Sequence, residues 1–262
     1  MRYIEAELAQ SPAFQRSVER DPRCNQIIGQ VTQRAQGVFL WVFLVVRSLK
    51  RDLQSQESFE HLQSRVDAMP PTLDQYFERI FERIDPVYRK ETARLFLLAL
   101  HLDGQDAGPL PLVACECLES ETHDPRYAVK APVENANGAD RCQVWGIHRA
   151  NAQHLAVTRL NDRCKDLLQP RANDNFAEDS IQHGHIAFLH RTVRDFLRDN
   201  HLRQLTRNVG EGYSVANSYA MILLALFKKY PIELYFSLSD SSQPLNPACR
   251  PALEWRWDSI AS

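Results

Sequence analysis

Residues 27–49 read IIGQVTQRAQGVFLWVFLVVRSL, and the fold class turns on them. Ile27, Ile28, Val31, Ala35, Val38 and Phe39 recur at helical spacing. They run through Gly37 into an apolar stretch that continues to Leu49. This pattern predicts a helix, a break near Gly37, and a second helix buried on most of its sides. Outward from it the helical signal repeats. Phe59, Leu62, Val66 and Met69 form an amphipathic stripe that Pro70-Pro71 ends. Thr72 and Gln75 form a capping-box pattern ahead of Leu73, Tyr76, Phe77, Ile80, Phe81 and Ile84. Asp85-Pro86 supplies a cap and a first-turn proline for a helix carrying Ala93, Leu95, Phe96, Leu98 and Ala99.

The later sequence is more broken. A loop at 103–109 precedes a short helix near Leu110–Leu118, and turn formers fill 120–142, which reads as an irregular insert. Helical spacing resumes from about Val144 to Leu168, with Leu155, Leu160, Cys164, Leu167 and Leu168 inward. A polar loop follows at 170–183. His185–Leu189 reads as a short strand, and a helix starts near Thr192 with Val193, Phe196 and Leu197 inward. A long helix, a strand and a further helix in this order resemble the end of a winged-helix unit. A last apolar helix covers about Val215–Phe227. The expected fold is mainly α. It comprises a helical domain at 1–100, a winged-helix-like domain at 101–207 with a strand near 185–190, a C-terminal helical segment at 208–236 and a flexible tail at 237–262.

Composition agrees with helices: of 262 residues 44% are apolar, and only 9 are glycine, which disfavours glycine-rich cofactor folds. The net charge of −2 argues against an electrostatic nucleic-acid binder. Arginines 191, 194, 198, 203 and 207 are interleaved with acids, and Arg191/Asp195 and Asp199/Arg203 have i,i+4 spacing, as on a solvated helix face. The longest apolar runs, Val38–Val46 and Tyr219–Phe227, are too short to cross a bilayer. Cys24, Cys115, Cys117, Cys142, Cys164 and Cys249 show no CxxC pair or disulfide framework, so a reducing, cytoplasmic location is expected.

Chemistry-bearing motifs are sparse. No lysine follows a glycine, so there is no P-loop, and Gly-x-Ser-x-Gly and His-Glu-x-x-His are also absent. His183 and His185, with His190 and Cys164, have the residue types of a zinc site. Two of these ligands flank a polar loop rather than rigid elements, so no metal is assigned. No nucleophile–base pair stands out, and independent enzymatic activity is not expected. His190 sits between an apolar strand and a helix start, a junction where an imidazole meets backbone N–H groups and a phosphate could dock. From spacing alone, the reading that prevails is a hydrogen-bonded structural histidine at the end of a strand.

Four segments carry a resemblance: Arg34-Ala35-Gln36-Gly37-Val38-Phe39-Leu40-Trp41-Val42 with its continuation to Leu49; Met69-Pro70-Pro71-Thr72-Leu73-Asp74-Gln75-Tyr76-Phe77; Arg159-Leu160-Asn161-Asp162-Arg163-Cys164-Lys165-Asp166-Leu167-Leu168; and Phe188-Leu189-His190-Arg191-Thr192-Val193-Arg194-Asp195-Phe196-Leu197. In order and spacing they resemble the region after the nucleotide-binding core of fungal NACHT-type STAND NTPases, the NOD-like receptors of filamentous fungi. The resemblance spans about residues 1–230. It implies a non-catalytic hinge and lid in signalling or non-self recognition, with Walker A and B in a core upstream of Met1. That core, of the same or a related receptor, is the implied partner. Oligomers would form through the core, and neither nucleic acid nor membrane nor a resident cofactor is implied.

In the wider class a Gly-x-Pro-Leu-like motif opens a helix beside the adenine. Gly37-Val38-Phe39-Leu40 stands at the comparable place, with Phe39 for the proline. A Met-His-Asp-like histidine in the winged helix senses the β-phosphate of ADP. Leu189-His190-Arg191 matches its context, with Leu for Met and Arg for Asp. Gly37 and Phe39 are thus the adenine-side candidates, and His190 the nucleotide-sensing one. The alternatives are a stand-alone interaction module acting in trans on related receptors, or a truncated gene fragment.

Overall fold

The computed structural model describes residues 2–103, 109–131, 153–172 and 184–229. The chain divides into two compact units, Met1–Arg79 and Ile80–Ser262. The fold is mainly α, with one short antiparallel hairpin among the described residues.

The first unit opens with α1, Arg2–Ile4, which passes into a π-helical turn at Glu5–Ala9. Then come α2 (Pro12–Arg20), α3 (Asn25–Arg34), α4 (Phe39–Gln54), α5 (Phe59–Asp67) and the start of α6 (Leu73–Glu82). The break near Gly37 is a tight turn in which Gln36 and Gly37 take φ of +46° and +82°. Leu8, Phe14, Ile27, Val31, Trp41, Val45, Leu49, Leu62 and Val66 share one core. Trp41, 4% exposed, donates its indole N–H to the Pro70 carbonyl at 2.7 Å, fixing α4 to the turn before α6. Asp52, inside α4, is met by Arg65 of α5 through two bonds of 2.6 and 3.1 Å. Arg34 and Arg79 donate to the carbonyls of Val66 and Ala68, closing the C-terminal end of α5. The expected caps are present: Ser58 Oγ accepts from His61 N, Thr72 Oγ1 from Gln75 N, and Asp85 Oδ1 from Val87 N.

The second unit is built on α7, Arg89–Leu102, buried from Thr92 to Ala99. It continues with a 3-10 turn at Leu112–Glu116, α8 (Cys117–His123), α9 (Tyr127–Lys130) and a helix over 153–164, α10. After α10 come β1 (Leu168–Ala172), β2 (Gly184–Phe188), α11 (Arg191–Phe196), a π-helical turn at Leu197–His201, α12 (Leu202–Val209) and α13 (Val215–Lys229). β1 and β2 pair antiparallel from Leu168↔Phe188 to Ala172↔Gly184. On the other edge of β2, Ile186 N–H donates to Leu110 O at 2.8 Å and Pro111 bridges His185. A helix feeding a two-stranded wing whose inner strand takes a third short segment is a winged-helix-like arrangement. Arg163 of α10 pairs with Glu91 and stacks 4.7 Å from the Tyr88 ring centre, and Thr92 Oγ1 donates to Arg163 O, so α10 is bound to α7. Phe81, Phe196 and buried His201 form an aromatic knot, with ring centres 4.1 and 4.8 Å from His201.

Five expectations are corrected. The boundary between the units falls at 79/80, within α6, rather than at 100, because α7 packs with α8, α12 and α13. For the same reason 208–236 is not a segment apart, since α13 packs on α7, α8 and α9. Within the supposed irregular insert 120–142, α8 and α9 occupy most of 120–131; the remainder lies outside the described residues. Residues 168–172, read as a helix end and loop, form β1. Asp195 is engaged by Arg194, which also reaches Asp103, and the π-helical turn after Phe196 shifts the i,i+4 register on which the Asp199/Arg203 pairing relied. Residues 173–183 and the tail 237–262 lie outside the described residues.

Candidate functional site

His190 ends the wing. Leu189, just before it, donates its N–H to Leu167 O at 3.1 Å, which fixes the chain between β2 and α11. The His190 backbone is extended, with φ −157° and ψ 158°, the usual geometry of a helix N-cap. Its imidazole fills that role: Nδ1 accepts from Thr192 N–H at 3.2 Å and stands 3.0 Å from Thr192 Oγ1. An Nδ1 that accepts a backbone N–H carries a lone pair, so the neutral ring keeps its proton on Nε2. The residue is exposed. His190 thus offers an outward N–H donor held in one orientation by its own helix.

The junction offers fewer free backbone N–H groups than its place in the sequence suggests. Thr192 N–H goes to the imidazole, and Val193 N–H goes to His190 O at 3.0 Å. α11 is also only six residues long. Two of the N–H groups that a phosphate would have used, those of Thr192 and Val193, are spent in closing the first turn.

Gly37 and Phe39 lie in the first unit and His190 in the second. At Gly37 an added Cβ would meet no atom within 4 Å, so its φ of +82°, and not crowding, is what calls for glycine. Val38 stands at the N-cap of α4, which has no side-chain cap and no acid in its first turn. Val38 is 42% exposed and Phe39 61%. The Phe39 ring stands edge-on to Tyr3, with centroids 5.0 Å apart, and Tyr3 in turn lies 6.4 Å from Phe43. Val38, Phe39, half-buried Leu40 and the two neighbouring rings form an apolar corner at the start of the helix that carries Trp41.

The zinc candidates are not gathered into a site. His183 lies outside the described residues, and Cys164 is buried, its thiol pushed well above its ordinary range by desolvation. No group of three or more His, Cys, Asp or Glu among the described residues stands where it could hold a metal ion. Exposed positions of α10 are His154, Leu155, Thr158, Asn161 and Asp162, with no arginine or lysine among them. No helix among the described residues is long and apolar enough to cross a membrane.

Sequence reasoning passed over one group of residues: Arg94, Glu121, Tyr127, Tyr213 and Ser218, all in the second unit. The signal was Arg94 itself, a cation inside the run Ala93–Ala99 whose neighbours are apolar and buried. A buried guanidinium requires partners.

One family model, described as Domain of unknown function (DUF7791), matches residues 83–233, more than half of the chain. No curated protein and no solved structure matches.

Proposed function

We infer that this chain, which belongs to the family described as Domain of unknown function (DUF7791), is a non-catalytic hinge and lid module of a NACHT-type STAND NTPase. Domains of this family are often found in NACHT-type proteins, which supports the reading. The observation that carries it is His190. Its Nδ1 is committed to Thr192 N–H, so its Nε2–H faces outward from a rigid strand–helix junction. A single oriented donor suits a sensor that reads one phosphate oxygen of a nucleotide held by another domain. It does not suit a site that holds a nucleotide by itself. The apolar corner at Val38 and Phe39 supports a second contact, with the NTPase core, because an exposed aromatic cluster at the uncapped start of a buried helix lowers its free energy by being covered.

The mechanism is linkage. A lid that contacts the ADP-bound core and not its rearranged ATP state biases the closed conformer by the difference in its affinity for the two. The same corner would serve a module acting in trans on related receptors, the second reading. Calorimetric titration of the chain with Mg-ADP and Mg-ATP tests whether it holds a nucleotide by itself. One donor to a charged phosphate oxygen contributes about 1.5–3 kcal/mol net, less than the cost of association, so the expected constant is no tighter than about millimolar. A micromolar constant that His190→Ala abolishes would overturn the lid-without-core reading.

A further inference from the structure

The C-terminal helix of the second unit is attached in an unusual way. α13 packs on α7, α8 and α9, yet of its 15 residues Ser218, Ile222 and Leu226 alone are fully buried. At i, i+4 and i+8 they form a single line along the helix. Under the N-terminal half of that line lies the polar group built around Arg94. Arg94 Nη1 donates to Thr122 Oγ1 at 3.0 Å and stands 3.6 Å from Glu121 Oε2, with both charged side chains 5% exposed. The guanidinium lies 5.4 Å from the centre of the Tyr213 ring, in the segment that leads into α13. Arg94 and Glu121 both act electrostatically on the phenols of Tyr127 and Tyr213, which gathers all four groups in one place. Burial pushes the Tyr213 phenol up to about 12.

This group is under-satisfied. Among the described residues, Arg94 Nε, Tyr213 Oη and Ser218 Oγ are buried without a well-formed hydrogen bond, Glu121 Oε2 faces Arg94 at ion-pair distance only, and Tyr127 Oη meets the Cys117 thiol. Ser218 and Tyr213 stand side by side without reaching hydrogen-bond geometry. Each such atom carries a desolvation cost that water removes on exposure.

The C-terminal half of α13 is held differently. Lys228 Nζ donates to the carbonyls of Ala128, Val129 and Ala131, each at 2.9 Å, and so closes the C-terminal end of α9. Lys229 pairs with Glu116. At the other end the connection from α12 contains Gly210 and Gly212, with φ of +88° and +82° and no atom within 4 Å of where a Cβ would stand. Both take a conformation that other residues rarely adopt, and no side chain crowds them, so the connection can take up a change in backbone angle.

We propose that α13 is a releasable strap. It swings away as one unit on Gly210 and Gly212, held shut by the Lys228 clamp and eased open by the unsolvated polar group beneath Tyr213 and Ser218, while α7 stays packed. Opening gives water to Tyr213 Oη and Ser218 Oγ, which the closed state leaves without a well-formed hydrogen bond, and costs the burial of Ile222, Leu226 and the partly buried apolar side chains beside them, plus the clamp.

Amide hydrogen exchange of the full chain, followed by mass spectrometry, tests the strap. Peptides over 215–229 are expected to exchange at least about tenfold faster than those over 89–102, as a sub-global opening requires. Lys228→Met should speed 215–229 by about a further tenfold, from three lost hydrogen bonds, and leave 89–102 unchanged. Ser218→Ala should slow 215–229 by about fivefold, because it removes an unpartnered hydroxyl. If 215–229 exchanges in step with 89–102, or Lys228→Met speeds both alike, α13 opens only with the whole unit and the strap is refuted. A Ser218→Ala variant that exchanges faster over 215–229 also refutes it, because the hydroxyl then holds the helix closed.

Discussion

Replacing Trp41 by phenylalanine tests how the first unit is held together. The side chain is 4% exposed, and its indole N–H ends on the Pro70 carbonyl at 2.7 Å in a buried setting. Phenylalanine keeps most of the apolar contact and deletes the donor, which orphans a buried carbonyl. An unsatisfied buried acceptor costs about 1–3 kcal/mol. Alanine would lose the packing as well, and a truncated buried aromatic costs about 3–5 kcal/mol. The ordering wild type, Trp41→Phe, Trp41→Ala should therefore appear as two resolved steps in urea denaturation followed by far-UV circular dichroism. The midpoint should fall at each step with little change in slope, since the exposed area on unfolding is nearly constant. If Trp41→Phe matches wild type within about 0.5 kcal/mol, where surface substitutions usually fall, the indole bond does not tie α4 to the turn before α6.

Gly37→Ala should cost about 1 kcal/mol, since φ is +82° and no atom crowds the new methyl; denaturation that shows no loss would contradict the left-handed turn. His190→Ala removes the N-cap of α11 and should cost about 0.5–2 kcal/mol, while His190→Asn, which can still accept from Thr192 N–H, should recover most of it in the same assay. Burial pushes the Cys115 thiol up to about 12 and the Cys117 thiol up to about 11, from 9.0. The folded chain therefore holds these protons after the unfolded chain has released them. Stability is full below about pH 9 and falls as pH rises toward 11, by up to about 1.4 kcal/mol per thiol and pH unit; a urea midpoint equal at pH 8 and pH 10 would show that these thiols ionise as easily folded as unfolded.

Most helices were legible because their signals are local. The stripe from Ile27 to Leu49, the cap residues Ser58, Thr72 and Asp85, and the turn at Gly37 act within a few residues of themselves. β1 was not legible, because Gln169, Pro170 and Arg171 look like loop. Pro170 is tolerated there since β1 is the outer strand of the hairpin, where a missing N–H breaks no further ladder. The unit boundary was missed for a different reason. α7 is apolar on nearly every side, and nothing in its own sequence says which neighbours cover it. The π-helical turn at Leu197–His201 inserts one residue into a helical pattern whose period cannot reveal it. At the candidate site, the position of His190 was readable, and its service as a cap to its own helix was not. That role depends on ring orientation, as the buried group around Arg94 depends on segments far apart in the chain.

The central claim is that this chain recognises the nucleotide state of an NTPase core without holding nucleotide itself. Its most direct test is titration of the chain into a purified NACHT-type NTPase core, loaded with ADP in one series and with a non-hydrolysable ATP analogue in the other. Allosteric couplings of about 1–3 kcal/mol predict an affinity roughly 5–150-fold higher for the ADP-loaded core, with the preference lost in His190→Ala and binding to both forms weakened in Phe39→Asp. Equal affinity for the two forms, or a preference that His190→Ala leaves intact, would contradict the account.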